Sequence, residues 1–279
     1  MKLGVNVPNF GPGTDRGVLH RWAQTVEALG FDLLVVSDHV VLTPDVAEQY
    51  PAPFYEPFTT LGWLAGITRR VRLGTSVLVL PYRHPLLVAR MAANLHELSE
   101  GRLVLGVGSG WAAQEFDALG LPFQRRGRLT DEHLQAVRAA WADTRDYGST
   151  PIPLWVGGNS DAGLRRAVRF GDAWHPLRCT LPWLRAARER MTALTDGQAQ
   201  AAPAFAPRIV LRLTDAPVTG PDRLAGEGTI DQVMDDLAQL RLLGADTVVL
   251  DPFGGDPRET LRPQEPWRAL ATVAARWTA

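Results

Sequence analysis

Cysteine is nearly absent: the 279-residue chain holds one, Cys179, which excludes an internal disulfide and points to a reducing cytoplasm. No neighbouring histidine or helix start marks that thiol as an activated nucleophile. Charge of one sign is lacking too. A formal net charge of −1, with no block of like charges, offers no basic field to a nucleic-acid backbone, so no nucleic acid is expected as a partner. No apolar run approaches the roughly 20 residues that span a bilayer, so no membrane is expected either. Met1-Lys2-Leu3-Gly4-Val5 reads directly as a strand, without the basic segment and apolar core of a secretory signal.

Signatures for metals and nucleotides are missing as well. The six histidines are scattered and form no clear ligand pair, so no metal is expected. His20, His96 and His133 fall within predicted helices and read as surface or packing residues. No P-loop sequence occurs, and no Gly-x-Gly-x-x-Gly follows the first strand, which argues against a P-loop enzyme and a Rossmann dehydrogenase.

What the chain does have is alternation. Apolar β-rich runs at Lys2 to Pro8, Leu33 to Ser37, Val71 to Leu80, Leu103 to Val107, Pro153 to Val156, Ala173 to Pro176, Ile209 to Leu213 and Thr247 to Leu250 predict eight strands. Between them, amphipathic stretches predict helices near Val18 to Leu29, Phe58 to Ile67, Leu86 to Leu98, Leu129 to Trp141, Ala162 to Phe170, Pro182 to Leu194, Ile230 to Leu242 and Pro266 to Trp277. Eight right-handed strand-helix units predict one TIM barrel over residues 1–279, with an open doubly wound sheet as the competing architecture. Gly30, Gly171 and Gly244 punctuate helix ends as candidates for the left-handed conformation. Insertions near 112–128 and 216–228 fall after the fourth and seventh strands, where loops become lids or pocket walls, with a plain solvated excursion an equal reading. The stretch 195–207, rich in Ala, Gln and Pro, reads as a linker.

Several strands end in polar or glycine-rich residues, which is where α/β barrels keep their chemistry. Asp38 and His39 follow the second strand; on extended chain they point to opposite faces, so a direct Asp-His pair is not assured. The imidazole is the side chain suited to proton transfer near neutral pH, which makes His39 the catalytic candidate. Gly74, Thr75, Ser76 and Val77 break an otherwise apolar third strand, in the manner of a bulge or a close approach, although plain β-branched packing is an equal reading. Gly108-Ser109-Gly110 permits close backbone approach, a weak signal alone. Gly157-Gly158-Asn159-Ser160 lies between strand and helix, where free N–H groups and a helix dipole receive phosphate. Trp111 and Trp174 sit at strand exits, candidates with His175 for an aromatic pocket wall.

Taken together, Val36-Ser37-Asp38-His39, Leu73-Gly74-Thr75-Ser76-Val77, Gly101-Arg102-Leu103, Leu105-Gly106-Val107-Gly108-Ser109-Gly110-Trp111, Glu115-Phe116 and Trp155-Val156-Gly157-Gly158 resemble the bacterial luciferase-like superfamily, and within it the deazaflavin-dependent oxidoreductases. The resemblance implies a TIM barrel whose C-terminal mouth binds coenzyme F420 or FMN. On it, Asp38, His39, Thr75, Ser76, Val77, Gly108, Ser109, Gly110, Gly157, Gly158, Asn159 and Ser160 become the cofactor-binding set. It also implies a non-prolyl cis peptide at Ser76-Val77 and a proton-shuttling role for His39. Where some relatives carry glutamate directly after the fourth-strand Gly-x-Gly, this chain has Trp111, so a glutamate acid is not carried over. The segment from Trp141 to Pro151 is shorter than in many relatives.

The Ser-Asp-His-Val and Leu-Gly-Thr-Ser-Val forms favour F420, and hence hydride transfer to or from a small organic substrate. The alternative is an FMN-dependent monooxygenase fed by a separate flavin reductase; a lesser one is a non-catalytic flavin-binding barrel. Apolar stretches at Phe58 to Ile67 and Leu86 to Leu98 suggest a homodimer, against which Arg90, Asn94 and Glu97 supply a polar stripe.

Overall fold

The computed structural model describes residues 1–148, 151–196 and 201–277. Parts of the shortened segment and of the predicted linker, residues 149–150 and 197–200, lie outside the described residues. Eight parallel strands form the barrel: β1 (Lys2–Asn6), β2 (Leu33–Val36), β3 (Arg72–Thr75, resuming as Leu78–Val79), β4 (Leu103–Gly108), β5 (Leu154–Gly157), β6 (Ala173–His175), β7 (Ala204–Phe205, resuming as Arg208–Val210) and β8 (Thr247–Asp251). The helices that follow them are α1 (Arg16–Ala28), α2 (Pro57–Ile67), α3 (Pro85–Leu98), α4 (Arg126–Trp141), α5 (Asp161–Phe170), α6 (Leu181–Thr195), α7 (Ile230–Leu242) and α8 (Gln264–Trp277).

β7 decides between a closed and an open sheet. Its first part pairs with β6 through Ala173↔Ala204 and Trp174↔Phe205, and its second part pairs with β8 through Val249↔Arg208. The two ends of the strand order are therefore two stretches of one strand, and the sheet closes on itself. This corrects the linker reading of 195–207, which contributes Ala204–Phe205 to the barrel wall.

Because side chains alternate along a strand, each strand feeds two cores. Leu33, Val35, Val104, Trp155, Ala173, Ala206 and Val249 fill the barrel interior. Leu34, Val36, Leu73, Leu105, Val156, Trp174 and Leu250 face outward into the larger core beneath the helices. Each such leucine or valine contributes about 1.5–3 kcal/mol on burial, so the shell of helices is held mainly by this outer layer.

Helix starts follow their caps. The Asp15 side chain accepts from Val18 N, and Thr229 and Gln232 form a reciprocal capping box on α7. Gly30 and Gly244 adopt φ +80°, as predicted for helix exits, but Gly171 has φ −91°. Gly171 is small for another reason: a Cβ there would lie 3.0 Å from the carbonyl oxygens of both Ala167 and Ala173. The 112–128 insertion folds into a short helix, Ala113–Ala118, and a 3₁₀ turn, Phe123–Arg125. The 216–228 insertion is tied to α7 by the Arg223–Asp236 pair at 2.8 Å and by Gly226 N donating to Asp236. Among the described residues no helix is long and apolar enough to cross a membrane, and no group of three or more His, Cys, Asp or Glu is placed to hold a metal.

Candidate active site

The chain turns sharply after β2, and its two polar residues part company there. Asp38 is buried and accepts two bonds from Arg83, at 2.7 and 2.9 Å, and one from Val79 N at 2.9 Å. Burial pushes this carboxyl up, against the pull of Arg83. Its oxygens thus tie β2 to the far half of β3.

His39 turns the other way. Its Nδ1 stands 2.6 Å from Glu115 Oε2, contributed by the short helix Ala113–Ala118. Glu115 is fully buried and also accepts from Val40 N at 2.6 Å, Val41 N at 3.0 Å and Tyr82 Oη at 2.8 Å. Burial raises its carboxyl, but the bonds from His39 and the backbone outweigh this and hold it below the usual carboxylate range. As an anion that only accepts, Glu115 fixes Nδ1 as the proton-bearing nitrogen and leaves Nε2 without a partner among the described residues. Around the ring stand Tyr50, stacked at 5.2 Å between centroids, with Phe54 at 5.5 Å and Trp111 at 5.7 Å edge-on. Trp111, which follows β4, is half exposed.

The break in β3 is real. The Ser76-Val77 peptide is cis, as the resemblance implies. Thr75 Oγ1 donates to Gly106 O at 2.6 Å. The Val77 side chain crosses toward β4 and β5: a Cβ on Gly108 would lie 2.6 Å from Val77 Cγ2, and one on Gly157 2.9 Å from Val77 Cγ1. These two glycines make room for Val77, which their reading as cofactor contacts did not anticipate. Gly110 is packed the same way, against Val79 and Phe116. Ser109 directly precedes Gly110 at the rim, half-buried.

Below Ser76 lies a buried polar layer. Ser76 Oγ meets His175 Nε2 at 2.8 Å, and His175 Nδ1 meets Ala206 O at 2.5 Å. Because Ala206 O only accepts, Nδ1 carries the hydrogen and Nε2 accepts from the Ser76 hydroxyl. Burial pushes this imidazole down to about 4, so it is neutral at physiological pH. Arg208 donates to Ser76 O at 2.8 Å and to Asp251 Oδ2 at 2.7 Å, and Asp251 Oδ1 accepts from Asn6 Nδ2 at 3.1 Å. His175 is therefore a floor strut, fully buried with both nitrogens engaged, which corrects its placement in a pocket wall. Trp174 is also corrected. Strand parity turns it outward, where it is buried against Trp183 and Phe205 and donates to Gly158 O at 3.0 Å.

In the β5 turn, Gly158 has φ +121°, Ser160 caps α5 through Gly163 N at 3.2 Å, and Asn159 is locked to Leu177 through both its oxygen and its nitrogen. The turn is pre-shaped at the N-terminus of a ten-residue helix, the geometry that receives phosphate. Cys179 is buried, and burial pushes its thiol up to about 12, the environment of an inert cysteine.

Tyr50, Arg83 and the Arg208–Asp251 pair escape the sequence reading, and Glu115 enters it as part of the resemblance with no role assigned. Two signals were present: an arginine opening an apolar run at Arg208-Ile209-Val210, and an aspartate at the exit of β8.

A family model described as luciferase-like monooxygenase matches residues 1–217. An F420-dependent glucose-6-phosphate dehydrogenase of Beutenbergia cavernae is 36% identical over 169 residues, 53% of this chain and 48% of that protein. The chain spans about half to three-fifths of the length of the curated relatives it matches. Among solved structures, the monooxygenase RslO1 from Streptomyces bottropensis superimposes with TM-score 0.74 at 21% identity, covering 100% of both chains. An F420-dependent secondary alcohol dehydrogenase, solved with an F420-acetone adduct, superimposes with TM-score 0.73 at 17% identity, covering 98% of both. At these identities the two structures establish the barrel fold alone.

Proposed function

The chain belongs to the luciferase-like monooxygenase family, and we propose that within it the protein is an F420-dependent oxidoreductase acting on a small organic substrate at the barrel mouth. The observation that carries this reading is the His39–Glu115 pair, with Nε2 left open beneath the half-exposed Trp111. The residues present fit the coenzyme: an aromatic shell for a planar ring, a bulge at Ser76-Val77, and the open Gly158 turn at the start of α5, where a Cβ would meet nothing closer than 3.8 Å. Thr75, Ser76 and Val77 would back the ring, and Gly158, Asn159 and Ser160 would hold the phosphate.

Bound F420 supplies two-electron hydride chemistry without activating oxygen. When an alcohol is oxidised, F420 would supply the hydride acceptor, and His39 Nε2 would take the proton released by the substrate hydroxyl. Glu115 holds the ring in the required tautomer and balances the charge that His39 gains. The relative named an F420-dependent dehydrogenase supports F420 over FMN. The alternative, an FMN monooxygenase with a separate reductase, differs in the binding test: fluorescence titration of the purified protein with each oxidised coenzyme should favour F420, and tighter binding of FMN would reverse the assignment.

The same reading includes a homodimer formed through α2 and α3, of which α3 keeps Leu86, Leu87 and Leu98 exposed. A stable pair needs about 1,000 Å² of buried surface. Light scattering at low micromolar concentration decides this, a monomer mass counting against it.

A further inference from the structure

The His39 ring leaves one requirement of its site unmet. With Nδ1 carrying the hydrogen that Glu115 accepts, the neutral imidazole offers Nε2 as an acceptor only. It can receive the hydrogen of an alcohol, but a carbonyl oxygen needs a donor. Of the three rings around it, Phe54 has no polar atom, and Trp111 is half exposed to solvent, which competes for its N–H. Tyr50 is different: it is half-buried, and its hydroxyl makes no hydrogen bond among the described residues. The hydroxyl of Tyr82, by contrast, is spent on Glu115 at 2.8 Å. Resting on the oxidoreductase reading, we infer that Tyr50 is a specificity-determining residue, whose hydroxyl donates to the oxygen on the reacting carbon of an alcohol or carbonyl substrate held at His39 Nε2.

The surroundings of Tyr50 hold its ring and leave its hydroxyl open. Its N–H donates to Val46 O at 2.8 Å, and its ring lies edge-on to Phe10 at 4.9 Å and stacks on His39 at 5.2 Å with a 29° tilt. From the loop after β2 the phenol feels the charges of Arg208, Asp251 and Arg178, at the exits of β6 to β8. Those groups are already matched. Arg208 holds Asp251 at 2.7 Å and Ser76 O at 2.8 Å, and Arg178 holds the carbonyls of Phe253 and Gly254 at 3.1 and 2.9 Å. Burial pushes the phenol up, so it stays protonated and remains a donor. A hydroxyl oxygen serves both open atoms: it gives its hydrogen to Nε2 and accepts from Tyr50, and the carbonyl oxygen formed on oxidation keeps the Tyr50 bond. A substrate that reacts at a carbon–carbon double bond has no oxygen there and leaves the hydroxyl unpaired, which disfavours it.

The test compares the parent with Tyr50→Phe, which keeps the ring and removes only the hydroxyl. Its probes are cyclohexanone and methylenecyclohexane, in which a methylene group replaces the oxygen. On the coenzyme-free chain, saturation-transfer NMR should show cyclohexanone bound, and Tyr50→Phe should weaken it about threefold to tenfold while methylenecyclohexane changes less than about twofold. The carbonyl stretch of bound cyclohexanone, read by infrared difference spectroscopy, should lie lower with the parent than with the variant. With F420 bound, kcat/KM for cyclohexanol should fall at least about tenfold in Tyr50→Phe, at a coenzyme affinity within about twofold of the parent. No binding of cyclohexanone to the parent, equal carbonyl bands or an equal loss of both probes would overturn the inference. A loss confined to coenzyme affinity would overturn it too, by assigning the hydroxyl to the coenzyme. Because the NMR and infrared arms need no coenzyme, a failure of F420 to bind, or of the parent to turn over cyclohexanol, would count against the proposed function alone.

Discussion

His39 Nδ1 and Glu115 Oε2 lie 2.6 Å apart across 76 residues of sequence, one from the exit of β2 and the other from the insertion after β4. The same carboxylate accepts the N–H groups of Val40 and Val41, so Glu115 holds both the ring and the loop that carries it. Replacing His39 with alanine is expected to lower turnover by about 10² to 10⁴ while leaving coenzyme affinity nearly unchanged. Glu115→Gln keeps the shape but loses the charge-assisted bond, worth about 1.5–3 kcal/mol, and should cost about tenfold to a hundredfold in kcat/KM. Steady-state kinetics beside coenzyme titration separates the two quantities; a Glu115→Gln enzyme with native kcat/KM would remove the pair from the mechanism.

The β5 turn makes a different prediction. Gly158 has space for a methyl group, since a Cβ would meet only Gly163 Cα at 3.8 Å, but its φ of +121° is one that only glycine adopts readily. Gly158→Ala should therefore destabilise the fold by about 1–3 kcal/mol through backbone strain. It should also weaken coenzyme binding, because the strained turn can no longer aim its N–H groups. Urea melts and titrations measure the two effects, and a variant as stable as the parent would show that the turn relaxes.

Burial of His175 links the floor layer to pH. The imidazole is held at about 4 in the folded chain against about 6.5 when unfolded, so the unfolded state binds the extra proton first as pH falls. Stability from this group is complete above the unfolded value and declines as pH drops from about 6.5 to 4, by roughly 3 kcal/mol in all. Asp236, pushed up to about 6 by burial, acts in the opposite sense over nearly the same window. The contribution of His175 is thus the difference between the parent and His175→Gln melts across that range. Parallel curves would mean that folding does not lower the proton affinity of His175.

Arg83 neutralises Asp38 inside the protein, with the carboxylate side chain 0% exposed. Arg83→Met leaves that charge buried and unpaired and should cost about 3–5 kcal/mol. Asp38→Asn should cost less, since the amide can still accept from Val79 N. Thermal melts rank the two variants, and the reverse order would assign the structural role to Arg83 packing.

Much of this architecture is written in local pattern. Seven of the eight barrel strands and the eight long helices fall where hydrophobic period and helix caps put them, because each element buries a face whose spacing is its own; the seventh strand begins earlier, at Ala204, inside the stretch read as a linker. His39 was legible as well, since a polar residue at the exit of a barrel strand has few places to go but the mouth. The Tyr50 stack was not, because it depends on loops from β1, β2 and β8 meeting.

The sequence alone determined the kind of fold and the end of the barrel where chemistry belongs, for strand parity and strand exits are properties of consecutive residues. Tertiary structure decided the partners. Ser76 found His175 and Arg208, Asp38 found Arg83, and His39 found Glu115 in place of its neighbour Asp38. Trp174 and His175, adjacent in the chain, were sent to opposite faces of one strand. Hydrogen bonds between distant segments are chosen only when the barrel closes, when each buried polar group must take whichever partner the closed geometry brings within reach.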